Sequence, residues 1–332
     1  MNTQGRSYRL GGCLFEASPP SAPMLTGEPG AQEPKSGEVD LRPYCTPVEH
    51  QLDVGSCAAN AMVGAVEYQL RVLTGETVNL SRLFVYYNAR QLANKQNDDC
   101  GTFITHVMAS MLAHGACLER TWPYIEANWP LKPPQVCYDE AMTLSLGHSQ
   151  LQRGIQYARV PLGVYTLTAL ASGIPIVFGA SLPDPFFKAA DRTGRMPSIA
   201  EAGTPSSDSG HAMLIVGFSL NDNTWLVRNS WGADWGDGGH FRIPFDTLSH
   251  YSHPDQFWAV ATQEQFQSAK LSVRGVSQQL AAQQATAEAP QQAESALARL
   301  KGGLRTRINE DLSAAKKGFR DRLRGPGAGG GY

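Results

Sequence analysis

Cys57 closes the run Gln51-Leu52-Asp53-Val54-Gly55-Ser56-Cys57, and far downstream come Gly210-His211-Ala212 and Asn229-Ser230-Trp231-Gly232. These residue types suit thiol acyl transfer. A thiol is a weak nucleophile until a base takes its proton, the base needs a partner that holds its ring, and the oxyanion that forms on the attacked carbonyl needs hydrogen-bond donors. Cys57 supplies the thiol and His211 the base. Asn229 supplies the orienting partner, and Gln51, six residues before the thiol, supplies a donor.

Such groups need elements to hold them. Ser56 to Arg71 carries small and apolar residues at helical spacing, with Ser56 or Gly55 near its start. The spacing predicts a helix whose N-terminus lies at Cys57, where unpaired N–H groups and the positive dipole end favour thiolate. Leu80 to Leu92 and Thr105 to His114 read as two more helices. Ile174–Gly179, Met213–Phe218, Thr224–Arg228 and His240–Ile243 are short β-rich runs bounded by Gly, Asn and Asp. Helices first and antiparallel strands second predict an α+β fold of two lobes, a helical lobe and a β-rich lobe with the site in the cleft between them. The Pro/Ser/Asp-rich stretch from Pro183 to Ser209 reads as loop.

The 332 residues are 42% hydrophobic and 17% charged, with a formal net charge of −2. That balance fits a soluble globular chain with no global pull toward nucleic acid. No apolar run is long enough to span a bilayer, and Met1 to Arg6 leads into no apolar core of a secretory signal. The expected location is the cytoplasm, or outside it by a signal-free route. The six cysteines (Cys13, Cys45, Cys57, Cys100, Cys117, Cys137) form no CxxC pair, so free thiols are expected and neither a structural zinc nor a cofactor.

Composition divides the chain in three. Residues 1–37 are a Pro/Gly-rich arm, 38–262 the densely apolar domain, and 263–332 a tail that is first Gln/Ala-rich. Within the tail, Leu297, Leu300, Leu304, Ile308, Leu312, Phe319 and Leu323 recur at helical spacings among many Arg and Lys. This basic amphipathic stripe suits docking to a protein or an anionic surface.

The ordered pieces of residues 39–262 resemble the papain/cathepsin cysteine peptidases, in particular their bacterial branch. Val39-Asp40-Leu41-Arg42 with Thr46-Pro47-Val48 looks like the start of a mature domain, and Trp122-Pro123-Tyr124 matches a mid-domain landmark. The most specific match runs from Arg228-Asn229-Ser230-Trp231-Gly232 to Trp235-Gly236-Asp237-Gly238-Gly239-His240-Phe241-Arg242-Ile243. The resemblance implies a monomeric endopeptidase acting on protein or peptide substrates. It implies a Cys57 thiolate and His211 imidazolium pair oriented by Asn229, Gln51 in the oxyanion hole, Trp231 over the His–Asn bond, and Gly101, Gly210 and Ala212 beside the substrate. It also implies that the arm lies over or near the groove, as pro-segments do; the alternative reading of the arm is a disordered export or partner tag.

Departures are visible. Val54 replaces a usual half-cystine, Ala58 a usual Trp, and Cys100 is expected at the vacated partner position. Plainer readings stand beside the catalytic ones: Cys57 and His211 as core residues, Asn229 as a turn former, Asp98-Asp99 as a solvated loop. Other activities also fit the scaffold, namely deubiquitinase-like cleavage, transamidation, or a catalytically silent binding module.

Overall fold

Eleven strands and eight helices carry the described part of the chain, which in this computed structural model comprises residues 9–17, 22–27, 37–144, 155–201 and 210–274. In chain order the first elements are β1 (Cys13–Leu14), β2 (Met24–Gly27), β3 (Glu38–Asp40), α1 (Cys57–Thr74), α2 (Arg82–Gln91), β4 (Thr102–Phe103), α3 (Ile104–His114) and α4 (Gln135–Leu144). There follow β5 (Ile155–Arg159), α5 (Val164–Ala171), β6 (Ile176–Ser181), α6 (Asp184–Thr193), β7 (Gly210–Ser219), β8 (Thr224–Arg228) and β9 (His240–Pro244). The last are α7 (Phe245–Tyr251), β10 (Ser252–Thr262), α8 (Gln263–Ser268) and β11 (Leu271–Arg274).

Helix α1 is buried around its whole circumference from Cys57 to Leu70, as a helix packed between other elements must be. Its polar residues are therefore bonded inward. Glu67 accepts from the Thr46 hydroxyl at 2.6 Å and the Leu80 amide at 2.7 Å, and Gln69 donates to the Val260 carbonyl at 2.6 Å. Leaving such a buried group unpaired costs about 1–3 kcal/mol. The helix ends at Gly75, whose φ of 74° is the left-handed conformation a C-terminal cap needs.

The main sheet runs β11-β2-β5-β10-β6-β7-β8-β9, with β3 added to β7. Its core pairs β10–β6, β6–β7, β7–β8 and β8–β9 are antiparallel, while β2 joins β5 in parallel. The α+β expectation holds, with α1 to α3 packed as one helical layer and α1 also against β7.

Three readings change. The stretch 183–209 is not all loop: Pro183-Asp184-Pro185 opens α6, which ends at Gly194 in left-handed geometry. Proline near the first helical position is compatible with a helix start. Helices α4, α5 and α7 and strands β5 and β10 stand where the sequence reading places no element. Finally, packed structure extends past both ends of 38–262. In the arm, β2 takes a place in the main sheet and Leu25 is fully buried; beyond Thr262, β11 pairs with β2, and Phe266 and Leu271 are 1% exposed. The basic stripe of the tail lies outside the described residues. Among the described residues no helix is long and apolar enough to cross a membrane.

Candidate active site

The loop before α1 is clamped from both sides. The Gln51 amide donates to the Ser230 carbonyl at 2.8 Å, and its side-chain oxygen accepts from the Ser230 hydroxyl at 2.5 Å. Its Nε2 donates to the Val54 carbonyl at 2.9 Å, which leaves the second amide hydrogen for another acceptor. Tyr124 donates to the Gln51 carbonyl at 2.8 Å and pairs with Ser56 Oγ at 2.5 Å. Asp99 accepts from the Gly55 amide at 3.0 Å and the Tyr86 hydroxyl at 2.6 Å. Asp99 is thus a structural acceptor rather than part of a solvated loop, while Asp98 pairs with Lys95 at the surface.

These clamps place Cys57 as the first residue of α1, as expected. Across from it, β7 and β8 pair with Leu214 opposite Arg228. The pairing brings His211, near the start of β7, to Asn229, just past the end of β8. His211 Nε2 lies 2.8 Å from Asn229 Oδ1. The same Oδ1 accepts from the Ser230 amide at 2.9 Å, so the oxygen and not the nitrogen of this amide faces the imidazole. Nε2 is then the protonated nitrogen and Nδ1 carries the lone pair. Trp231 stacks on the imidazole with centroids 4.9 Å apart and planes at 24°, and Phe187 of α6 stands edge-on at 5.6 Å. The Ala212 amide reaches Cys57 Sγ at 3.4 Å. Gln51, Cys57, His211, Asn229, Ala212 and Trp231 are therefore in one neighbourhood.

Gly101 and Gly210 meet there too, through the arm. Arm residues 9–17 run over the cleft, with β1 parallel to β4 and Cys13 opposite Thr102. The Gly12 carbonyl accepts from the Thr102 amide at 3.0 Å. A β-carbon on Gly12 would lie 2.8 Å from Cys57 Sγ, and one on Gly101 would lie 2.6 Å from the Gly12 oxygen. Gly210 likewise faces the Cys13 carbonyl and the Phe15 ring. At the other end Arg9 donates to the Asp99 carbonyl at 3.0 Å and lies 3.7 Å from its carboxylate.

Burial shifts the proton affinities of the site. Cys57 and His211 are both fully buried. Burial pushes the Cys57 thiol up to about 12, against the pull of the Ala212 and Ala58 amides. Burial lowers His211 to about 4, against its bond to Asn229. Burial thus favours the neutral form of each group. His211 Nδ1 is buried and has no hydrogen-bond partner.

The family profile described as papain family cysteine protease matches residues 35–259. The chain belongs to the papain family of cysteine proteases. An uncharacterized peptidase C1-like protein of Acanthamoeba polyphaga mimivirus is 33% identical over 220 residues, covering 62% of this chain and 67% of the viral protein. Human cathepsin L2 is 26% identical over 228 residues, covering 65% of this chain and 62% of that protein. These relatives are thus matched over about two thirds of their own length. Among solved structures, xylellain, a cysteine protease from Xylella fastidiosa, superposes with a TM-score of 0.64 at 26% identity, covering 79% of this chain and 99% of that one. The digestive procathepsin L 3 of Tenebrio molitor shares the fold at 18% identity and a TM-score of 0.53.

For this family member, the half-cystine position Val54 is fully buried, and Cys100 is an exposed free thiol beside Gly101. Sequence reasoning missed Tyr124, Asp99 and Phe187 as supports of the site. Tyr124 had a signal in Trp122-Pro123-Tyr124, but nothing in the sequence pairs Asp99 with the Gly55 amide or Phe187 with His211.

Proposed function

We propose that this chain is a cysteine endopeptidase whose nucleophile is Cys57, and that residues 9–17 hold it latent. In the working form His211 Nδ1 takes the Cys57 proton, and the thiolate attacks the carbonyl carbon of a peptide bond. The oxyanion accepts from the Gln51 side chain and the Cys57 amide. His211, now imidazolium, passes the proton to the departing amine as the C–N bond breaks. A thioester on Cys57 remains, and water activated by His211 hydrolyses it to a carboxylic acid and restores the thiol. Asn229 keeps the imidazole in the useful tautomer throughout.

The observation that carries this reading is the Asn229 Oδ1 contact to His211 Nε2 at 2.8 Å, which leaves the Nδ1 lone pair unbonded on the residue next to Ala212, whose amide reaches the Cys57 sulfur at 3.4 Å. Latency is supported by the carbonyl of Gly12. Its oxygen accepts from the Thr102 amide, not from Gln51, so the arm crosses the nucleophile without presenting a carbonyl to the oxyanion donors.

A peptidyl epoxide that alkylates active thiols tests the reading, together with N-terminal sequencing of products from an unstructured protein substrate. Labelling at Cys57 with new internal N-termini is expected. Labelling without them moves the assignment to another acyl transfer, and no labelling of an arm-displaced variant moves it to a silent binding module.

A further inference from the structure

Beyond the nucleophile, the arm ends in a cradle for a carboxylate. Glu16 Oε2 accepts from Gln256 Nε2 at 2.7 Å, and Glu16 Oε1 accepts from the Thr105 hydroxyl. Gln256, on β10, is 2% exposed, and its own Oε1 has no hydrogen-bond partner. Thr105 is the second residue of α3, whose N-cap Phe103 offers no side-chain acceptor. The first-turn amides of an eleven-residue helix therefore add positive potential at this spot. Close by, Phe15 stacks on His253 with centroids 3.8 Å apart and lies against the bare backbone of Gly179 and Gly210.

A buried glutamine amide and a threonine hydroxyl at a helix start form a poor site for an alkyl group, because burying either without a partner costs free energy. They form a good site for an acceptor with two oxygens. Their position makes them part of the groove: Thr105 lies two residues past Thr102-Phe103, the strand along which the arm passes Cys57. A peptide that displaces the arm and lies along the same strand brings a side chain to the same donors.

We infer that the Thr105–Gln256 pair is a specificity-determining subsite that selects substrates with an acidic side chain, glutamate in particular, a few residues from the cleaved bond. This inference rests on the peptidase reading. Glu16 occupies the subsite in the covered form and must leave for substrate to bind.

The test uses the full chain with Gly12→Val and Glu16→Gln, which displaces the arm and removes its carboxylate. Matched fluorogenic peptides carry Glu, Gln or Leu at each of four positions on either side of the scissile bond. At one position Glu should exceed Gln and Leu in kcat/KM by about tenfold or more, as a charge-assisted bond can supply. Thr105→Val should bring that Glu-to-Gln ratio close to one, and Gln256→Leu should do the same if it folds. Equal rates for Glu, Gln and Leu at every position would overturn the subsite while leaving the peptidase reading intact. No cleavage of any peptide would overturn both. As a second measurement, Glu16→Gln alone in the otherwise unchanged chain should speed alkylation of Cys57 by iodoacetamide several-fold. An unchanged rate would mean that the carboxylate holds nothing there.

Discussion

A β-carbon on Gly12 would stand 2.8 Å from Cys57 Sγ and 2.7 Å from the Gly55 carbonyl oxygen. Both distances are shorter than real contacts allow, and the Gly55 backbone cannot swing aside as a flexible side chain would. Only glycine lets the arm lie on the nucleophile.

Gly12→Val should therefore open the site. Alkylation of Cys57 by iodoacetamide and peptide hydrolysis by the full chain should both rise about tenfold or more, the scale of about 1.4 kcal/mol of lost arm contact. The thermal midpoint of the remaining domain serves as the fold control. A well-folded variant with unchanged rates would remove the arm from any role in latency.

Cys57→Ala should abolish hydrolysis and labelling in the Gly12→Val background. From outside its own helix start the sulfur accepts a long hydrogen bond, from the Ala212 amide at 3.4 Å, and Ala is only slightly smaller than Cys, so circular dichroism should change little. Residual turnover above the chemical background, in a folded variant, would sink Cys57 as nucleophile.

Acid should weaken the covered form. His211 is lowered from 6.5 to about 4 by burial, and so is His240, further pressed by Arg228. A depressed histidine contributes stability that is present above the ordinary value and lost as pH falls toward about 4, because the unfolded chain binds the proton first. At about 1.4 kcal/mol per pH unit, each withdraws on the order of 3 kcal/mol. Thermal midpoints taken between pH 7 and pH 4 should fall less steeply in His211→Gln than in the parent chain; parallel curves would show that His211 is not desolvated.

Shortening the chain to end at Thr262 should destabilise it, contrary to what composition alone suggests. The Thr262 hydroxyl caps α8 through the Gln265 amide at 3.1 Å, Gln265 Nε2 donates to Gln69 at 2.9 Å, and Phe266 is buried. Phe266→Ala alone should cost about 3–5 kcal/mol, read by urea denaturation. A cost below about 1 kcal/mol would show that α8 is not part of the core.

Reductant should leave the folding midpoint unchanged, since all six cysteines are free. A drop of about 2–5 kcal/mol on reduction, the usual effect of removing a native bridge, would reveal a disulfide. Activity should instead require reductant, because an exposed Cys57 thiolate oxidises.

Much of this protein was legible in the residues themselves. Gln51, Cys57, His211 and Asn229 could be picked out from their order, from the six-residue step between Gln51 and Cys57, and from the Asn229-Ser230-Trp231-Gly232 context. The helices at Cys57 and Ile104 and the strands β7 to β9 were legible because their apolar spacing carries the local period. What the tertiary structure alone decided lies in contacts between distant segments. That Asp99 holds the Gly55 amide, that Phe187 shields His211 from a stretch read as loop, and that β2 and β11 pair beside β5 all depend on chain reversals that no local pattern encodes. The proton affinities of the site follow the same division. Cys and His appear in the sequence with their ordinary values, and only the tertiary packing, with Gly12 of the arm against the Cys57 sulfur and Trp231 and Phe187 against the His211 ring, buries them and favours their neutral forms.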